Sequence, residues 1–370
     1  MKESKNQIEQ KDVSKDLLGK FLKDNKDDHL NFQETVKWVC STGSLIMDAE
    51  LGGGYKPGAY KVIGASFGGK TSAVGNCIFN AFNSVPNSKG LWIKAEGRLD
   101  EEVQERSGIK FVFSAEEWDV GTCFVLETNI FETSIDLINN LIRNNPNDHR
   151  YFIVIDSVDG LIRRDDAIKE AGESEKVGAA GLLMSVMFKK ANLVLNKRGH
   201  CLFMINQIRA KIDVNQYAPK DQNKSVGGGG ANSSVHAANQ VWNFQGRTKS
   251  NNIEEGGDVV GHYCVIDLSK GVKERTDIRV KYPVKHGRVG GKSVWVEQEL
   301  TDLLLSWGFV DKSGAWIKFG DEFREELEKV ERVGDVPSAL QGITKLRDWL
   351  ESEPKVTEYL YQKFLTLICQ

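Results

Sequence analysis

Between residues 39 and 284 the chain alternates short apolar runs with longer stretches of helical spacing. Residues 59–63, 90–95, 123–126, 151–155 and 201–205 read as strands, and 131–144 and 178–195 as helices. The run from Tyr151 through Phe152, Ile153, Val154 and Ile155 holds no polar side chain beyond the tyrosine hydroxyl, as expected for a strand covered on both faces. Such alternation predicts an α/β core with a mostly parallel central sheet. After residue 239 the pattern changes. Residues 240–245, 262–268 and 276–284 are strand-like with no long helix between them, which predicts an antiparallel extension of that sheet. Beyond 287, helical segments over 338–349 and 355–368 predict a small α-rich lobe. Near the start, Leu17, Leu18, Phe21 and Leu22 recur on one face of a short helix. Periodicity alone favours packing of that face on the chain's own domain; the alternative is docking on a neighbouring subunit.

Composition narrows the class. With 370 residues, 40% of them hydrophobic and 27% charged, the chain can bury a substantial core without disulfides or metals. A net charge of −3 excludes a global basic field, so any nucleic-acid contact must be local. The cysteines, at 40, 77, 123, 201, 264 and 369, never fall at CxxC spacing, and most lie in apolar stretches. They read as buried thiols of a reducing compartment. The first 16 residues lack an apolar targeting core, and nowhere does an apolar run reach the ~18 residues of a membrane span. The expectation is a cytoplasmic protein.

The motif with the sharpest chemistry is Gly64, Ala65, Ser66, Phe67, Gly68, Gly69, Lys70, Thr71, which satisfies G-x-x-x-x-G-K-[ST] between a β-type run and a helix-like stretch opening at Ser72. Glycines let backbone amides wrap phosphate closely, and the following helix N-terminus adds positive dipole. Lys70 is placed for the β- and γ-phosphates and the Thr71 hydroxyl for Mg²⁺. The implied ligands are ATP and Mg²⁺. Asp156 ends the buried strand 151–155 and is the candidate second Mg²⁺ partner, through a water; a helix-capping aspartate is the plainer alternative. Glu96 closes the run 90–95. Parallel strands bring their C-terminal ends to one edge, so Glu96 can stand beside the phosphate loop and activate water, although a glutamate after a strand is more often a solvated turn residue.

With these residues in place the chain resembles RecA-type recombinases over about 30–361. The resemblance is carried by Ser41, Thr42, Gly43, Ser44 and Leu45 with Asp48; by 95–100; by Ile155, Asp156, Ser157 and Val158; by 203–211; and by Ser313, Gly314, Ala315 and Trp316. It implies a P-loop core of that family's fold, with Glu96 activating water and Gln207 sensing the γ-phosphate and signalling to the DNA-binding segment after it. It further implies Asp100 near the adenine. Val103 stands where bacterial members usually stack a tyrosine on the base. Residues 269–276 are more similar to T4-like phage recombinases, and there Lys270 and Lys273 are the candidates for reaching a neighbouring subunit's ATP. A solvated lysine at a strand end competes with that reading.

Two segments are candidates for DNA. Residues 208–230 form a stretch of roughly 20 residues without periodicity, which inside a compact domain usually signals function or disorder. This stretch carries Arg209, Lys211, Tyr217, Lys220 and Lys224 and ends in glycines that include Gly227 and Gly228. Cations release counterions from phosphates, glycines admit backbone amides, and a tyrosine can stack on bases. Arg209 and Lys211 are favoured for DNA contact; for the other three a plain surface loop is equally compatible. The acidic excess of 163–177 argues for a positional role, with Gly178 at the helix entry as its single candidate.

The expected division is therefore an N-terminal oligomerisation segment over 1–36, a RecA-like ATPase core over 37–286 and a C-terminal lobe over 287–370. The expected activity is ATP-dependent homologous pairing and strand exchange. The expected partners are single-stranded DNA, homologous duplex DNA and further copies of the chain in a helical filament, with single-strand-binding and loader proteins as possible helpers. A ring helicase of the same core fold and a non-catalytic recombinase paralogue are the alternatives.

Overall fold

A computed structural model of the chain describes residues 13–96, 99–169, 179–209, 226–227, 237–270, 278–330 and 335–369. Its framework is an 11-stranded sheet in the order β11-β10-β8-β1-β6-β5-β2-β4-β3, with β7 on β6 and β9 on β10. The strands are β1 (Gly58–Gly64), β2 (Ser88–Lys94), β3 (Lys110–Val112), β4 (Thr122–Glu127), β5 (Arg150–Asp156), β6 (Cys201–Arg209), β7 (Val226–Gly227), β8 (Gln240–Phe244), β9 (Asn252–Glu255), β10 (Asp258–Lys270) and β11 (Ile278–Lys285). From β8 to β3 every pairing is parallel. Strands β9, β10 and β11 join antiparallel, so the extension expected after residue 239 is present.

The central strands are covered on both faces. Tyr60 and Val62 of β1, Phe152 and Val154 of β5 and Phe203 and Ile205 of β6 point to one core, which α3 (Lys70–Ser84) closes with Val74, Cys77 and Ile78. The alternate residues Ala59, Ile153, Ile155, Leu202 and Met204 point to a second core under α5 (Phe131–Arg143) and the helix Ala179–Arg198. Period-two alternation with apolar residues on both sides is what made these strands read as unbroken runs.

The lobe after residue 287 is α-rich, as expected, and also holds a small sheet. Helices Val296–Ser306, Asp321–Glu328, Ile343–Ser352 and Pro354–Cys369 surround a three-stranded sheet, β12 (Val310–Ser313), β13 (Trp316–Phe319) and β14 (Ala339–Gln341). Strands this short give too few alternating positions to register in sequence. The seam between lobe and core is polar and well packed. Trp295 is fully buried, lies 4.6 Å from the cationic groups of both Lys285 and Arg347, and donates Nε1–H to Glu351 at 2.7 Å. Deeper in, α2 (Leu45–Leu51) meets the lobe through the buried carboxylate of Glu299, and a second buried carboxylate, Asp48, belongs to α2 itself. Asp48 accepts from Ser41 Oγ and from Thr42 N and Oγ1, while Glu299 accepts from Ser44 Oγ and Leu45 N.

Helix α1 (Val13–Asp24) departs from the favoured expectation. Leu17, Leu18 and Phe21 are 65%, 59% and 61% exposed and Leu22 is half-buried, so most of its apolar face is not covered by the described residues. Five cysteines are buried as expected, whereas Cys369, on the last turn of the final helix, is exposed. Among the described residues no helix is long and apolar enough to cross a membrane.

Candidate functional site

The phosphate-loop motif turns at the C-terminal end of β1, where Gly64 lies level with Gln207 of β6 and Phe244 of β8. Gly64 has φ +151°, and a Cβ there would stand 2.3 Å from the Phe244 carbonyl oxygen, so the position excludes every side chain. Gly69, at φ +96°, is the residue before α3. Lys70, buried in the first turn of α3, curls back and donates to the carbonyls of Gly64 at 2.9 Å and Ala65 at 2.7 Å. The loop is thus a closed cradle with an ammonium group at its centre, and Ser72 continues the helix. Phe67 at its tip is 92% exposed, with φ +61°.

Two oxygen donors flank the lysine. Thr71 Oγ1 donates to Asp156 Oδ2 at 3.2 Å, joining α3 to the last residue of β5. A hydroxyl and a carboxylate beside an anion cradle are the hard donors Mg²⁺ takes. The set therefore fits the metal-nucleotide that the sequence implies.

Glu96 follows β2, and its backbone N–H and that of Ala95 both donate to the Asp156 carbonyl, at 3.3 and 3.0 Å. Its carboxylate accepts from Ser157 Oγ at 2.6 Å through Oε1 and from Gln207 Nε2 at 3.0 Å through Oε2. The close passage needs Gly160, where a Cβ would meet Glu96 Cγ at 2.8 Å. Gln207 is held a second time: its backbone N–H donates to Asp159 Oδ2 at 2.7 Å. Residues from four strand ends, β1, β2, β5 and β6, thus meet on one edge of the sheet, where open α/β sheets bind ligands.

Other candidates lie apart from this cluster or outside the described residues. Asp100 is the N-cap of α4 (Glu101–Ser107), its Oδ1 accepting from Val103 N at 2.9 Å, so its carboxylate has a local structural partner. Val103 lines a narrow cavity between α3 and α4 together with Thr71, Ser72, Trp92 and Phe111. Arg209 is the last residue of β6, Gly227 pairs with Ile208 in the short β7, and Lys270 is the last residue of β10. Lys273, Lys211, Tyr217, Lys220, Lys224, Gly228 and Gly178 lie outside the described residues.

Sequence reading gave no role to two residues that the fold brings to the site: Ser157 and Asp159. Ser157 and Asp159 follow Asp156 directly and look like ordinary turn residues.

A family model described as the RecA N-terminal domain matches residues 16–275. The RecA protein of Mycoplasma mycoides subsp. mycoides is 27% identical over 384 residues, spanning 100% of this chain and 96% of that one. The RecA protein of Mycobacterium ulcerans is 27% identical over 286 residues, 77% of this chain and 75% of its own. Among solved structures, a RadB recombinase aligns over 69% of this chain and 97% of its own, with 14% identity and a TM-score of 0.43.

Proposed function

From the premise that the chain belongs to the RecA family, we propose that it is an ATP-dependent strand-exchange protein that assembles on single-stranded DNA and pairs it with homologous duplex. The observation that carries this reading is the hydrogen bond between Gln207 and Glu96. It joins the candidate water-activating carboxylate to the residue that opens the stretch 208–230, so a change at the nucleotide has a short route to that stretch.

ATP is the substrate of this reading. Residues 64–71 surround its phosphates, Lys70 exchanging its two carbonyl partners for phosphate oxygens. Thr71 and Asp156 hold Mg²⁺, which when bound neutralises charge on the phosphates. Glu96 accepts a proton from the attacking water; its place at hydrogen-bond distance from both Ser157 and Gln207 keeps the carboxylate oriented. Gln207 exchanges its bond to Glu96 for one to the γ-phosphate, and this swap is the switch. Arg209, Lys211, Tyr217, Lys220 and Lys224, with Gly227 and Gly228, then form the strand-gripping segment, and Gly178 sits at the root of the accompanying one. Lys270 and Lys273 reach the nucleotide of the neighbouring subunit, which makes hydrolysis depend on assembly.

The chain divides for this purpose into 1–36 for subunit docking, 37–286 for nucleotide and DNA, and 287–370 as the accessory lobe. The uncovered stripe of Leu17, Leu18 and Phe21 supports the first assignment, since an apolar helix face gains by finding a partner surface. A head-to-tail contact of this kind generates an open helical filament.

The test is affinity for a fluorescent single-stranded oligonucleotide with a slowly hydrolysed ATP analogue, with ADP and without nucleotide, alongside joint-molecule formation with homologous duplex. Tight binding only with the triphosphate, together with joint molecules that require ATP, is the expected result. Equal binding in all three conditions overturns the reading.

A further inference from the structure

Beside the nucleotide site two neighbouring strands end out of step. Strands β5 and β6 pair from Phe152 opposite Cys201 to Asp156 opposite Ile205, and there their ladder stops. Gln207 lies two residues further along β6, still level with Gly64 of β1 on its other side. Toward β5, its backbone N–H has run past the end of the neighbouring strand, and a main-chain donor left unpaired inside a fold is costly. The Asp159 carboxylate takes the missing place. Its Oδ2 accepts the Gln207 N–H at 2.7 Å and, more loosely, the Asn206 side-chain amide at 3.4 Å. Oδ1 makes no hydrogen bond among the described residues, so both contacts rest on one oxygen.

Asp159 belongs to a well-anchored turn. After Asp156 the chain forms the 3-10 turn Val158–Gly160, closed by the Gly160 N–H on the Ser157 carbonyl at 3.1 Å and the Leu161 N–H on the Val158 carbonyl at 3.2 Å. Val158 and Leu161 are buried in the core that α5 covers. Ser157, at one end of the turn, donates to Glu96 Oε1 at 2.6 Å, and Asp159, two residues on, holds the Gln207 main chain. One short turn thus grips both members of the Glu96–Gln207 hydrogen bond, each through a different residue. Gln207 is held by its backbone from Asp159 and by its side chain from Glu96, so the side chain can change partner while the backbone stays in place.

We infer that Asp159 is a positioning residue that anchors the Gln207 main chain at a set place beside Glu96, so that a change of partner by the Gln207 side chain is passed on to residue 208 and beyond. Without the anchor, the backbone of Gln207 shifts to absorb that change, and the following segment loses its dependence on nucleotide. The consequence for DNA rests on the reading of Gln207 proposed above; the hold on the Gln207 backbone does not. Both described hydrogen bonds of Asp159 go to β6 and neither to residues 64–71, which separates a positioning role from a binding one. The anchor requires an oxygen acceptor at this place and not a negative charge, since an amide oxygen can accept the same N–H. Asp159→Asn therefore keeps it and Asp159→Ala removes it.

The experiment compares the full-length wild type with Asp159→Ala and Asp159→Asn. Amide hydrogen exchange is followed at Gln207 and at Trp92 of β2, and oligo-dT affinity is measured with the slowly hydrolysed ATP analogue and with ADP. In Asp159→Ala, exchange at Gln207 is expected to quicken about tenfold with Trp92 unchanged, and the ratio of the two affinities to fall by a similar factor. Asp159→Asn is expected to stay within about threefold of wild type in both measurements. Unchanged exchange at Gln207 in Asp159→Ala overturns the inference, as does faster exchange there with an unaltered affinity ratio. A loss in Asp159→Asn as large as in Asp159→Ala also overturns it, since charge or packing and not the acceptor then accounts for the effect. If the wild type binds oligo-dT equally with both nucleotides, the strand-exchange reading fails instead, and exchange at Gln207 still decides whether Asp159 anchors it.

Discussion

Glu96 and Gln207 lie 111 positions apart in the chain, yet the amide of one donates to the carboxylate of the other at 3.0 Å, across the ends of strands that are not neighbours in the sheet. Strand β5 lies between them, and Ser157, the residue after it, donates to the other Glu96 oxygen. Replacing Glu96 by Gln keeps the shape and removes the carboxylate proposed to take the proton of the attacking water. Steady-state hydrolysis of ATP in the presence of single-stranded DNA is expected to fall about 10²-fold or more, with ATP affinity by fluorescent-analogue titration little changed. Loss of affinity in parallel with turnover instead gives Glu96 a binding role.

Gly64→Ala tests the phosphate cradle from its backbone. The added methyl meets a carbonyl oxygen of β8 at 2.3 Å, at a φ that L-residues avoid. Strain of about 3 kcal/mol or more is expected, visible as a lowered midpoint in thermal unfolding together with loss of nucleotide binding. A variant that binds ATP normally shows that the loop tolerates a side chain where this geometry leaves none.

The two carboxylates under the C-terminal lobe give a pH dependence whose sign can be fixed. Burial pushes Glu299 up to about 8 and Asp48 up to about 7, against the pull of their hydrogen-bond donors. A folded pKa above the unfolded value means the folded chain holds the extra proton, so this contribution is complete in acid and is lost as pH rises through the folded pKa. For Glu299 the window runs from about 4.5 to about 8. Glu299→Gln removes the titration. The stability of that variant relative to wild type is expected to rise from pH 5 to pH 8, by at most about 1.4 kcal/mol per pH unit. Urea unfolding at both pH values measures it; a constant difference shows that Glu299 does not titrate in this range.

Trp295 joins lobe to core, so its removal should act on their attachment as well as on stability. Trp295→Ala opens a large hole and leaves Lys285 and Arg347 facing it. A loss of about 3–5 kcal/mol is expected, together with faster proteolytic cutting in residues 287–295 than elsewhere. Cutting distributed evenly along the chain argues that the lobe is held by other contacts.

The parts of this molecule that are legible in its sequence are those governed by short-range pattern. The strands of the core showed as apolar runs because both faces are covered, and the phosphate loop showed because the spacing of Gly64, Lys70 and Thr71 is fixed by local geometry. What stayed hidden depends on pairings across the sheet. Ser157 and Asp159 acquire their contacts only because β2, β5 and β6 end side by side. Helix α1 shows the same limit from the other direction: periodicity revealed its apolar face, but whether the chain itself covers that face is a tertiary matter. The C-terminal strands were missed for a simpler reason, since three or four residues carry no usable alternation.

Five of the six thiols are sealed in the interior, where burial pushes Cys40 to about 11 and Cys264 to about 12 and holds Cys77, Cys123 and Cys201 well above the ordinary range. Chemically the folded molecule is thus a single-thiol protein. A maleimide dye attaches at Cys369 alone, on the outer end of the final helix, without any cysteine having to be engineered in or out. Titrating the number of reacting sulfhydryls in rising denaturant then follows the opening of the core directly, from one to six.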